Sequence, residues 1–140
     1  MVIYINRETD LADAALTLLR FADNERIFLF EGDMGAGKTT LIKSLCRQLG
    51  MNDTASSPTY SLVNEYVYPE GKIYHFDFFR IKSESEAYDI GFEEYLSTGD
   101  YCFIEWPELI SGLWPLNYIE IKIDQDEKER RILTVNKVVS

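Results

Sequence analysis

Hydrophobic positions along the chain switch between a period near two and a period near 3.6, and the switches mark out its elements. Val2 to Ile5 is β-branched and aromatic, which predicts a short edge strand. Leu11, Ala15, Leu18, Leu19 and Ala22 share one helical face, so a helix is expected over about Glu8 to Ala22. Arg26 to Glu31 is almost continuously apolar and too short for a capped helix. It reads as a strand buried on both faces, the kind found inside a parallel sheet. Leu41, Ile42, Leu45, Cys46 and Leu49 form a second helical stripe, ended by Gly50.

The second half of the chain is richer in strands. Asp53 to Pro58 is small and polar, hence a loop. Tyr60 to Tyr68 and Lys72 to Phe78 are strand-forming runs. Between them, Pro69 and Gly71 occupy the turn positions each prefers, so a hairpin is expected. Ser83 to Ile90 predicts a short helix with Ser83 or Ser85 as cap and an acidic first turn, and Glu93 to Leu96 a further helical turn. Tyr101 to Glu105 is another buried strand. Ile119, Ile121 and Ile123 alternate with Glu120, Lys122 and Asp124, a half-exposed strand. Ile132 to Val139 can pair with it across the turn at Asp124 to Glu127. The pattern is that of an α/β sandwich with a mixed sheet and an antiparallel C-terminal edge. No repeat, linker or low-complexity tract divides it, so residues 1–140 are read as a single domain.

Composition narrows the function. With 46% apolar, 27% charged and 14% aromatic residues, a chain of 140 residues has the means for one sizeable core and is not a disordered segment. No apolar run approaches the roughly 18 residues of a membrane span. The start, Met-Val-Ile-Tyr-Ile-Asn-Arg-Glu, lacks the basic and apolar regions of a signal peptide. A net charge of −10 repels phosphate backbones, so little direct nucleic-acid binding is expected; a role in RNA chemistry would need a basic partner to hold the RNA. Cys46 and Cys102 lack C-x-x-C spacing and read as reduced, buried thiols of a cytoplasmic protein.

The chemistry concentrates between the first buried strand and the second helix. Gly32-Asp33-Met34-Gly35-Ala36-Gly37-Lys38-Thr39, followed by Thr40, fits the phosphate-loop pattern G-x-x-x-x-G-K-[ST] in full, between a strand and a helix as that pattern requires. Gly32, Gly35 and Gly37 let main-chain N–H groups approach a polyanion, and the helix N-terminus adds partial positive charge. Lys38 can reach the outer phosphates, and the Thr39 hydroxyl can ligate Mg²⁺. The bland alternative is a glycine turn with a solvated lysine.

Other candidates follow from placement. Glu105 ends a buried strand, either supporting Mg²⁺ or lying solvated at the start of the Trp106-Pro107-Glu108 loop. His75 and Asp77 share a strand face with Ile73. Asp77 either orients or deprotonates an attacking water, or caps a turn and pairs with Arg80. His75 reads as a hydrogen-bonded core residue rather than a catalyst. Ser57 and Thr59 can form a switch-like loop that senses a terminal phosphate, or simply a strand entry. Trp106 is read as core in preference to a stacking platform.

Taken in order, Gly-Asp-Met-Gly-Ala-Gly-Lys-Thr-Thr (32–40), Ser-Pro-Thr-Tyr-Ser-Leu-Val-Asn-Glu-Tyr (57–66), Tyr-His-Phe-Asp-Phe-Phe-Arg (74–80), Gly-Phe-Glu-Glu-Tyr-Leu (91–96) and Ile-Glu-Trp-Pro-Glu (104–108) strongly resemble the TsaE family, small bacterial P-loop ATPases of tRNA threonylcarbamoyladenosine synthesis. The resemblance covers about Glu8 to Glu108 closely. It implies a P-loop NTPase-like three-layer sandwich with a mixed, mainly parallel central sheet. It also implies a weak, Mg²⁺-dependent ATPase partnered by a tRNA-threonylcarbamoyl transferase and its paralogous scaffold subunit. In that setting ATP hydrolysis resets the partner complex, which modifies the adenosine beside the anticodon. By position, Lys38, Asp77 and Glu105 would serve catalysis, with Thr39 and Glu105 as Mg²⁺ partners. Ser57 and Thr59 match the switch-like loop. Glu8, Thr9 and, less directly, Arg130 would border the adenine. Phe79 stands where the family carries Tyr, which removes a hydroxyl.

Three rivals remain at this point. A GTPase would carry an Asn-Lys-x-Asp string, but Asn136-Lys137 is followed by Val138-Val139. A small-molecule P-loop kinase would want an arginine-bearing lid, and only Arg130 and Arg131 cluster, in what reads as an exposed turn. A nucleotide-dependent binding module with negligible hydrolysis would use the acidic surface to dock on basic partners.

Overall fold

A computed structural model describes residues 1–51 and 62–140. Seven strands form one sheet: β1 (Val2–Ile5), β2 (Ile27–Glu31), β3 (Val63–Tyr68), β4 (Gly71–Asp77), β5 (Tyr101–Glu105), β6 (Tyr118–Gln125) and β7 (Arg131–Val138). Their order is β1-β7-β6-β2-β5-β4-β3. The four central strands, β6, β2, β5 and β4, run parallel, while β7 and β1 on one side and β3 on the other add antiparallel edges. This is the mixed sheet with a parallel centre and an antiparallel C-terminal edge that the hydrophobic pattern calls for.

Helices cover both faces. On one lie α1 (Leu11–Ala22) and α2 (Lys38–Leu49), burying Leu18, Ile42 and Leu45 against Phe28, Phe30, Phe103, Ile121 and Val135. On the other lie α3 (Glu84–Asp89), α4 (Phe92–Leu96) and a 3-10 segment, Pro107–Leu113, over Leu29, Phe76, Phe78, Cys102 and Ile104. Alternation explains the split: Phe28 and Phe30 face one layer and Leu29 the other, and all three are fully buried. Each such side chain contributes about 1.5–3 kcal/mol on leaving water. Cys46 and Cys102 are buried free thiols, and burial pushes both pKa values up to about 12. Among the described residues no helix is long and apolar enough to cross a membrane.

Differences from the sequence reading are local. The first helix starts as a 3-10 turn, Glu8–Asp10, because the Asp10 carboxylate accepts the Asn6 and Arg7 amides, both at 3.1 Å. Ser83 does occupy the N-cap position of α3, but its hydroxyl meets the Ser85 hydroxyl at 2.7 Å instead of a helix amide. The loop at Asp53 to Pro58, the strand start at Tyr60, and Ser57 and Thr59 lie outside the described residues.

Register is what assembles the site. Phe30 of β2 and Asp77 of β4 each pair with Glu105 of β5. The carboxyl ends of three parallel strands therefore stand side by side, the position where open α/β sheets bind ligands. The chain leaves β2 there, turns through the glycine loop and enters α2.

Candidate functional site

The loop between Glu31 and Lys38 is shaped by its glycines. Gly37, at the N-cap of α2, has φ +104°, a region costly to residues with a Cβ. A Cβ there would lie 2.8 Å from Nε and 2.9 Å from Cζ of Arg131, so the guanidinium lies directly against the loop. Gly37→Ala is therefore expected to cost about 1–2 kcal/mol of stability through backbone strain and to displace Arg131. An unchanged urea unfolding midpoint would contradict this.

Lys38 is only 5% exposed. Its Nζ donates to the Gly32 carbonyl at 2.6 Å and lies 3.4 Å from the centroid of the Trp106 ring. Burial lowers its pKa, while the carboxylates of Glu105, Glu108, Asp77 and Asp33 pull in the opposite direction. An ammonium has three donors, so with one on Gly32 the others remain for an anion.

Glu105 is 3% exposed, which excludes the solvated alternative. The Thr39 hydroxyl lies 2.9 Å from both of its oxygens, and His75 Nε2 is 2.6 Å from Oε2. A hydroxyl that donates to Glu105 keeps its lone pairs. With the carboxylate it offers hard oxygen ligands of the type Mg²⁺ prefers, and Mg²⁺ usually completes its shell with water and phosphate oxygens. Among the described residues no group of three or more His, Cys, Asp or Glu forms a metal cage of its own. The donor set fits an ion shared with a phosphate ligand.

These groups meet in a cleft of about 330 Å³ lined by Met34, Gly35, Gly37, Lys38, Thr39, Thr40, Asp77, Phe79, Glu105, Trp106 and Arg131. That volume is within the range of small-ligand sites. Asp77 is exposed at the end of β4; its Oδ1 accepts the Phe79 amide at 3.0 Å, and it has no ion pair with Arg80 among the described residues. Gly32 and Asp33 instead border an adjoining cleft with Glu31, Glu108, Lys122 and Asp124, and Ala36 is buried beneath the loop. Burial raises the Glu31 pKa there, helped by Glu120 and Glu108 and opposed by Lys122.

Four residues take places the sequence reading did not give them. Arg130 is engaged elsewhere: its Nε donates to Asp126 Oδ2 at 2.6 Å within the β6–β7 turn. Its neighbour Arg131 faces the phosphate-loop cleft and also lines a second one with Asn6, Arg7, Glu8 and Glu129. Thr9 is exposed and lines neither of these two. Period-two alternation was the available signal, because Arg131 shares a face with buried Leu133 and Val135. Trp106 packs partly on the core but also walls the cleft, with φ +60° and its ring 5.1 Å from that of Phe79. The signal for it was adjacency to a strand-terminal carboxylate. His75 is buried and hydrogen-bonded as expected, and its partner is the Glu105 of this site.

Comparison with known proteins gives a consistent picture. The sequence model of the family "Threonylcarbamoyl adenosine biosynthesis protein TsaE" matches residues 5–133. The protein named tRNA threonylcarbamoyladenosine biosynthesis protein TsaE from Rickettsia prowazekii is 38% identical over 84% of this chain and 83% of its own length. Its namesake from Bacillus subtilis is 35% identical over 96% of this chain and 83% of its own length. The crystal structure of Bacillus subtilis YdiB superposes with a TM-score of 0.77 at 25% identity, covering all of this chain (100%) and 86% of the other. A family match over nearly the whole chain, relatives above 30% identity and a shared fold lead to one conclusion: the chain belongs to the TsaE family of threonylcarbamoyladenosine biosynthesis proteins.

Proposed function

We propose that this protein binds ATP with Mg²⁺ in the phosphate-loop cleft, hydrolyses it slowly, and by doing so serves tRNA threonylcarbamoyladenosine synthesis together with a partner transferase complex. The observation that carries the reading is the convergence of Lys38, Thr39, Glu105 and Asp77 on one cleft at the carboxyl ends of three parallel strands. Family membership supports the pathway, and the net charge of −10 favours a basic protein partner over direct RNA contact.

In this reading the loop amides and the α2 N-terminus hold the phosphates, and Lys38 and Arg131 neutralise them. Thr39 and Glu105 would hold Mg²⁺, which supplies Lewis-acid polarisation and charge neutralisation when bound. Asp77 stands at the open side of the cleft, where its carboxylate can hold a water and accept its proton. The water oxygen then bonds to the terminal phosphorus, the bond to the bridging oxygen breaks, and ADP leaves. Glu8, which lines the second Arg131 cleft, would border a base; Ser57 and Thr59 keep their proposed phosphate-sensing role from sequence. A kinase reading finds less support, since Arg131 begins β7 and Arg130 is tied to Asp126.

The test is turnover with and without the partner transferase and its scaffold subunit. ATP hydrolysis is expected to rise about tenfold or more when they complete the assembly, a floor well below the ~10³–10⁵-fold that a partner-supplied arginine can contribute. No stimulation and no co-purification would contradict the partnership.

A further inference from the structure

The sole histidine of the chain sits in the middle of a hydrogen-bonded line that crosses three strands. Thr39 Oγ1 meets Glu105 at 2.9 Å, Glu105 Oε2 meets His75 Nε2 at 2.6 Å, and His75 Nδ1 lies 3.5 Å from the Tyr66 hydroxyl of β3. His75 and Glu105 are each at most 5% exposed, so water does not compete freely for these contacts. A carboxylate only accepts hydrogen bonds, so the short contact requires the proton on Nε2. In the neutral ring Nδ1 then faces a Tyr66 hydroxyl able to donate to it. The Tyr66 and His75 rings lie 6.3 Å apart and tilted by 31°, and the imidazole is held between the hydroxyl and the carboxylate.

We propose that His75 is a positioning residue for the nucleotide site: its Nε2–H fixes the Glu105 carboxylate in the orientation that serves Thr39 and the metal–phosphate ligand, and Tyr66 sets the imidazole tautomer. The proposal rests on the ATP reading above. Groups that orient a metal-supporting ligand in this way are worth about 10- to 100-fold in metal affinity or activity. His75 touches neither nucleotide nor water in this scheme; it acts only through Glu105.

Because there is one histidine, ring ¹⁵N–¹H correlation spectra of tag-free protein report this residue alone. The expected spectrum has a protonated, exchange-protected Nε2 and an unprotonated Nδ1, and Glu105→Ala abolishes the protection. The second readout is the Mg²⁺ dependence of ATP-analogue binding. His75→Phe, which keeps an aromatic ring and removes the donor, is expected to weaken Mg²⁺-dependent binding about tenfold or more. Binding of the Mg²⁺-free nucleotide should stay within about twofold, and His75→Gln should recover most of the loss. Because the proposed turnover is slow, KM for Mg²⁺–ATP should follow this loss and rise about tenfold as well. A bare Nε2, a rapidly exchanging ring, or a folded His75→Phe with normal Mg²⁺ dependence overturns the proposal. The spectrum requires no variant, so it decides the matter even if His75→Phe fails to fold. ATP binding alongside a bare Nε2 overturns this proposal alone. A protected Nε2–H in protein that binds no ATP overturns the nucleotide reading and the positioning role with it.

Discussion

Lys38→Ala is expected to weaken ATP binding by about 100-fold or more, the cost of removing a nearly buried charge that meets an anion. The ammonium is held by the Gly32 carbonyl below and the Trp106 ring beside it, so it is already placed when a phosphate arrives and little ordering cost is incurred on binding. Its charge opposes a substrate carrying several negative charges in a cleft that also contains Asp77 and Glu105. Without Lys38, Arg131 is the remaining cation lining that cleft among the described residues. Titration calorimetry measures the effect directly, and thermal unfolding in the absence of nucleotide separates lost binding from lost folding. Affinity within threefold of the parent protein would remove Lys38 from the phosphate site.

Asp77→Asn is expected to reduce turnover by about 10²-fold with nucleotide affinity nearly unchanged, the signature of a group that acts in the transition state and not in ground-state binding. Asparagine is the informative substitution. Asp77 Oδ1 accepts the Phe79 amide at 3.0 Å, and an amide oxygen can keep that bond and so the turn after β4. What is lost is the negative charge and the capacity to take a proton. Asp77→Ala removes the turn contact as well, so comparison of the two divides geometry from charge. If Asn behaves like Asp and only Ala is impaired, Asp77 is a turn-former. If both variants lose affinity in parallel with turnover, its role lies in ligand binding.

Much of this architecture is written in local pattern. The continuous apolar run at Ile27 to Phe30 and the five buried positions of β5 identify parallel central strands because both faces must be covered. The glycine spacing and Lys38-Thr39 locate the loop because few other arrangements bring amides so close to an anion. Glu105 stands out because an acid at the end of an otherwise apolar strand needs a partner. What sequence left open depends on register and on long-range pairing. That β1 closes the sheet beside β7 follows from an antiparallel match of Ile5 with Arg131, which no local signal encodes. The same pairing brings Arg131 to Gly37, while Arg130 turns outward to Asp126. The partnership of His75 with Glu105 likewise arises only when β4 and β5 align, since the two are far apart in the chain.

The proposed role of the cleft following β2 is to hold Mg²⁺–ATP. Calorimetric titration of the folded wild-type protein with ATP, with and without Mg²⁺, tests it most directly. Saturable one-to-one binding of ATP is expected, strengthened by Mg²⁺ and outcompeting GTP. A folded protein that gives no binding heat with ATP and Mg²⁺ would contradict it.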